Sequence, residues 1–138
     1  MLTPTVLLVE DNPGDEYLTV RALRKFVVPV NVDVTRDGAE ALDYLFCRGA
    51  FADRPPDLPT IVLLDLNLPK VGGLRVLAEL RADPRTQFLP VIILTSSDEQ
   101  TDSISSYMHG ANSYVRKPVK AREFDAVDAR LGRLLAEG

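Results

Sequence analysis

Six polar residues stand at the ends of short apolar runs, and their types fit one reaction. Glu10 and Asp11 follow Thr5-Val6-Leu7-Leu8-Val9, and Asp65 closes Ile61-Val62-Leu63-Leu64. Thr95 and Ser96 close Pro90-Val91-Ile92-Ile93-Leu94, and Lys117 follows Ser113-Tyr114-Val115-Arg116. If those runs are strands of one parallel sheet, all six residues meet on the rim formed by the strands' C-terminal ends. Open α/β sheets gather their chemistry there. Three clustered carboxylates repel one another, so an oxygen-seeking divalent cation such as Mg2+ is their natural partner. A carboxylate can also attack phosphorus and form an aspartyl phosphate. Lys117 and the Thr95 hydroxyl would then hold the phosphoryl oxygens. At about 4 Å a lysine–phosphoryl attraction is about 4 kcal/mol per pair of unit charges at an effective dielectric of about 20, enough to bias a loop between two conformations.

The elements that would position these residues are legible as apolar patterns. The runs ending at Val9, Leu64 and Leu94 are continuously apolar, as expected of strands buried on both faces. Val30, Val32 and Val34 alternate with Asn31, Asp33 and Thr35, the pattern of a half-covered strand at a sheet edge. Asn12-Pro13 opens a helix as cap and first residue, with Leu18, Ala22 and Phe26 recurring every four residues and the helix closing before Pro29. Asp37-Gly38 opens a second helix carrying Leu42, Leu45 and Phe46, and Cys47 reads as a packed residue of that helix. Pro55, Pro56 and Pro59 make residues 48–60 a long surface loop. Val76, Leu77 and Leu80 mark a third helix after the turn-rich Leu68-Pro69-Lys70-Val71-Gly72-Gly73. A polar helix over 98–109, capped by Gly110, and a last helix carrying Phe124, Val127, Leu131 and Leu134 complete the series. Five strands alternating with five helices imply right-handed crossovers and a parallel sheet covered on both sides.

Composition narrows the function classes. The chain has 138 residues, 46% hydrophobic and 26% charged, with a net charge of −4, one Cys and no Trp. That length suits one domain and the apolar fraction suits a globular core. The acidic balance argues against a nucleic-acid binder, and no apolar stretch is long enough to span a membrane. A lone Cys47 cannot form an internal disulfide, which suits a reducing cytoplasm.

Val9-Glu10-Asp11-Asn12, Leu64-Asp65-Leu66-Asn67-Leu68-Pro69, Leu94-Thr95-Ser96 and Tyr114-Val115-Arg116-Lys117-Pro118 together resemble, in order and spacing, the four motifs of two-component receiver domains. The resemblance covers essentially residues 1–138 as a single receiver domain. It implies a flavodoxin-like (βα)5 doubly wound parallel sheet with strand order 2-1-3-4-5, and Asp65 as phosphoacceptor from a sensor histidine kinase. It implies Mg2+ held by Asp11, Asp65 and the Asn67 backbone carbonyl, with Glu10 acting through water. Thr95 and Ser96 would bind the phosphoryl group, Tyr114 would rotate inward behind Thr95, and Lys117 would form the salt bridge, with a cis Lys117–Pro118 bond. Such a chain is not an enzyme beyond catalysing its own phosphorylation and slow dephosphorylation. It would be cytoplasmic and signal through protein contacts or onward phosphotransfer, because the residues after Pro118 leave no room for an output module. A homodimer through helix 4, strand 5 and helix 5 is the expectation carried from the family. Glu10-Asp11-Asn12-Pro13-Gly14-Asp15 and the long loop before the third strand are more narrowly similar to the small regulators paired with bacterial phytochromes. Glu10 departs from the commoner Asp, and its longer arm should still reach a metal-bound water.

Taken singly, these residues have plainer readings. Asp11 with Asn12 could merely cap a helix, as could Thr95-Ser96, Lys117 could be a solvated lysine, and Tyr114 could be core. The rival from another class is a small aspartate-nucleophile phosphatase, which wants a second acid two residues beyond the nucleophile, where this chain has Asn67. His109 near a helix C-terminus suits the helix dipole better than a phosphorelay role. No glycine-rich phosphate loop follows the first strand.

Overall fold

A computed structural model describes residues 4–25, 30–95 and 110–119. Five strands form one sheet in the order β2-β1-β3-β4-β5: β1 (Thr5–Val9), β2 (Asn31–Thr35), β3 (Ile61–Asp65), β4 (Val91–Thr95) and β5 (Ser113–Arg116). Every adjacent pair is parallel. The order reverses at β1, which lies between β2 and β3, so the crevice at the C-terminal ends of β1 and β3 is the topological switch point. Three helices are described: α1 (Pro13–Leu23), α2 (Gly38–Leu45) and α3 (Gly73–Ala82). No helix among the described residues is long and apolar enough to cross a membrane. The helices expected over 98–109 and after Pro118, with Ser96 and His109, lie outside the described residues.

Alternation along the strands divides the core between two faces. Leu7, Val9, Val62, Leu64, Val91 and Ile93 pack with residues of α2 and α3. Val6, Leu8, Ile61, Leu63, Ile92 and Leu94 pack on the other face with Ala22 and Leu23 of α1. Each such Leu, Ile or Val contributes roughly 1.5–3 kcal/mol on burial, which is why the continuous apolar runs occupy the central strands. The edge strand β2 keeps its polar alternation, with Asn31 and Asp33 exposed.

Local signals start the helices. The Asn12 side chain accepts from the Asp15 amide at 3.0 Å, with Pro13 in the first turn, and the Asp37 side chain accepts from the Glu40 amide at 2.7 Å. Three expectations are corrected. Cys47 lies beyond the end of α2, at a left-handed φ of 52°, with its thiol 3.8 Å from the Pro55 carbonyl oxygen. The helix had to stop there so that the chain could turn into the 48–60 segment. That segment begins with a 3-10 turn, Gly49–Phe51, rather than irregular loop. Gly110 has no left-handed φ. Its lack of a side chain makes room for its neighbours, since a Cβ would sit 3.1 Å from Leu77 Cγ.

Candidate functional site

The sheet ladder carries its register into the rim residues. The Glu10 amide donates to the Thr35 carbonyl at 2.9 Å, one rung past the last β1–β2 pair. Asp65 ends β3 opposite Leu94, and the next amide, Leu66, donates to the Leu94 carbonyl at 3.1 Å. The Lys117 amide donates to the Thr95 carbonyl at 2.7 Å, extending the β4–β5 ladder. Glu10, Asp65, Thr95 and Lys117 therefore leave the sheet at nearly the same level, held by backbone bonds. The Lys117–Pro118 bond is cis. The Asp65 end is also held from below, because the Gly73 amide at the start of α3 donates to the Leu66 carbonyl at 3.1 Å.

Lys117 Nζ sits among three carboxylates: 2.6 Å from Glu10 Oε1, 3.0 Å from Asp15 Oδ2 and 3.2 Å from Asp65 Oδ2. Glu10 and Asp65 are buried, and the Lys117 side chain is only 9% exposed. The Asn67 amide donates to Asp65 Oδ1 at 3.2 Å, and the Asn12 amide reaches Glu10 Oε2 at 3.4 Å. Glu10 Oε1 is in direct ion-pair contact with the ammonium. One carboxylate oxygen from each of Glu10, Asp11 and Asp65 lies within 4.8 Å of the others, with Asp11 exposed at the mouth.

Burial, reinforced by the facing Asp65 carboxylate, pushes the Glu10 carboxyl up to about 7 against the pull of Lys117. Burial alone would lower Lys117, but the bond to Glu10, the Asp65 charge and the bond to Asp15 outweigh it and raise it. Lys117 is therefore a fixed ammonium facing a Glu10 carboxyl whose ionisation is disfavoured by burial and by Asp65. Three carboxylate oxygens within 4.8 Å of one another, two of them from buried residues, are a hard donor set that fits a divalent cation of the Mg2+ or Mn2+ type.

Glu10, Asp11, Asp65 and Lys117, named from the sequence, come together here. Thr95 is buried at the end of the adjacent strand and joined to Lys117 through its backbone. Asn67 is exposed, with its amide on Asp65. Tyr114 stands on β5 with 37% of its surface exposed. Two residues escaped the sequence reading. Asp15 entered only as part of the Glu10–Asp15 motif and was given no role at the site, and its contact with Lys117 spans 102 positions. Gly73 looked like loop punctuation; its placement at the first position of a helix after an acidic strand end was the available signal.

The family model described as "Response regulator receiver domain" matches residues 6–127. The response regulator Rcp1 of Synechocystis sp. (strain ATCC 27184 / PCC 6803 / Kazusa) is 38% identical over 112 residues, covering 81% of this chain and 75% of Rcp1. Among solved structures, the bacteriophytochrome response regulator RtBRR is 46% identical with a TM-score of 0.88, covering 95% of this chain and 79% of that one. The Mn(2+)-bound form of Rcp1 is 32% identical with a TM-score of 0.74, covering 97% of this chain and 90% of that one.

Proposed function

The chain belongs to the response regulator receiver domain family, and from that premise we propose that Asp65 accepts a phosphoryl group from a sensor histidine kinase with Mg2+ bound beside it. The observation that carries this reading is the buried Asp65 carboxylate, 3.2 Å from the Lys117 ammonium and within 4.8 Å of the Glu10 and Asp11 oxygens. In the transfer, an Asp65 carboxylate oxygen bonds to phosphorus while the donor's phosphorus–nitrogen bond breaks and its electron pair leaves with the imidazole. Such chemistry needs positioning and charge neutralisation more than covalent machinery. Lys117 supplies a cation already 3.2 Å from Asp65. The Asn67 amide orients Asp65 Oδ1, leaving the carboxylate fixed for in-line attack. Asp11, Asp65 and the Asn67 carbonyl would hold Mg2+, with Glu10 acting through water; the cation neutralises charge on the phosphoryl oxygens.

Thr95 and Ser96 bind the phosphoryl group in this reading, and Tyr114 turns inward from its exposed position when Thr95 moves. The chain gains its phosphoryl group and loses it slowly by its own chemistry, without turning over a substrate. A phosphatase would need an acid at position 67, where Asn67 stands. We place the protein in the cytoplasm, with a bacteriophytochrome as its kinase. The narrower motif similarity and the 46% identity to RtBRR support that partner. A homodimer would use the face that includes β5, where Tyr114 and Arg116 are exposed.

Mass spectrometry after incubation with a small phosphodonor and Mg2+ tests the central claim. The expected result is one added phosphoryl group on the wild type and none on Asp65→Asn. Equal labelling of both would overturn it.

A further inference from the structure

Of the three carboxylates around Lys117, Asp15 stands apart. Glu10 and Asp65 lie at strand ends and belong to the cation-binding set with Asp11, whereas Asp15 belongs to α1 and its side chain is 34% exposed. Its position is nonetheless fixed. It occupies the third position of α1, and its own amide is tied to Asn12 Oδ1 at 3.0 Å. Gly14 leaves room for that cap, since a Cβ there would stand 3.2 Å from Asn12 Oδ1. From this anchored turn the Asp15 carboxylate reaches Lys117 Nζ at 3.0 Å, slightly closer than Asp65 does.

We propose that Asp15 is a positioning residue that competes with the phosphoryl group for Lys117 and so limits how tightly the site holds it. The inference rests on the reading of Asp65 as phosphoacceptor. A phosphoryl group brings about two negative charges to this rim. Lys117 meets it with an ammonium already shared with α1, and Asp15 adds a like charge 3.0 Å from that ammonium. Neutralising Asp15 leaves the Lys117 charge to the incoming group. Asp15→Asn keeps the shape and an oxygen acceptor but removes the charge, while Asp15→Ala removes the contact altogether.

The test is calorimetric titration of the full chain with beryllofluoride, a phosphoryl mimic, in Mg2+, with thermal melts confirming that each variant is folded. Both variants should bind beryllofluoride about three- to tenfold more tightly than wild type. Losing a merely structural support would weaken binding, so the sign of the change separates the two roles. Unchanged or weaker binding by Asp15→Asn overturns the inference while leaving the Asp65 reading intact. A wild-type chain that binds no beryllofluoride overturns both.

Discussion

Gly73 stands so close to Asp65 that a Cβ on it would lie 2.3 Å from the Asp65 carbonyl oxygen and 2.9 Å from Leu66 Cα. Both are backbone atoms of the strand end that carries the candidate phosphoacceptor, so neither can yield by rotating a side chain. The first turn of α3 is therefore the floor on which Asp65 rests.

Gly73→Ala should push β3 and α3 apart. The expected cost is about 2 kcal/mol in urea denaturation. Phosphoryl acceptance at Asp65 should also slow, because the carboxylate shifts relative to Lys117. Gly72→Ala is the comparison: nothing lies within 4 Å of a Cβ there, so it should lose only the preference of the α3 N-cap for glycine, about 1 kcal/mol, and leave phosphoryl acceptance unchanged.

Lys117→Met keeps much of the side-chain volume but leaves Glu10 and Asp65 buried without their cation. Removing one partner of a buried ion pair costs about 3 kcal/mol. That loss should appear in urea denaturation without divalent cations. Adding Asp65→Asn to Lys117→Met should recover part of it, since one of the two facing carboxylates is then gone. A double variant no more stable than Lys117→Met would show that the carboxylates do not repel as described.

The 48–60 segment hangs on Arg54. Its guanidinium lies 4.1 Å from the centre of the Tyr44 ring, Nε donates to the Tyr44 carbonyl at 2.9 Å, and Nη1 donates to the Asp57 carbonyl at 2.9 Å. Tyr44 is itself fixed by donating its hydroxyl to Asp33 and by edge contact with Phe51. Arg54→Ala should cost about 1–2 kcal/mol, the sum of a cation–π contact and two hydrogen bonds to backbone carbonyls, one part-buried and one exposed. Hydrogen exchange should quicken across 48–60 while the amides of β1 and β3 keep their protection. Uniform acceleration through the sheet would contradict the local role.

Hydrogen bonding by the Arg85 side chain and backbone amide lowers the Asp83 carboxyl from 3.8 to about 2. A depressed carboxyl contributes stability that is present above its unfolded value of 3.8. That contribution is lost as pH falls through about 2. Carboxyl-detected NMR should find Asp83 still ionised at pH 3. Arg85→Ala should return its midpoint toward 3.8, while the melting temperature at neutral pH moves little because the pair is exposed.

The sequence by itself determined the elements and the level at which their chemistry emerges. Continuous apolar runs mark β1, β3 and β4 because strands buried on both faces hold polar side chains only at their ends. Asn12 and Asp37 mark helix starts because only short polar side chains satisfy the free amides of a first turn. Glu10, Asp65, Thr95 and Lys117 could be placed on one rim because each closes or follows such a run. What the tertiary structure decided depends on separation in space rather than on pattern. The sheet gathers the strand ends on one rim, and only there does the Lys117 side chain, from the end of β5, reach Asp15 of α1 across 102 positions. Burial of Glu10 against Asp65 raises its carboxyl, an effect of the low-dielectric crevice that residue type alone does not carry. Gly73 and Cys47 were misjudged for the same reason. Periodicity reports which side of an element is buried, whereas the close approach of two backbones and the point where a helix gives way to a turn follow from how the elements pack.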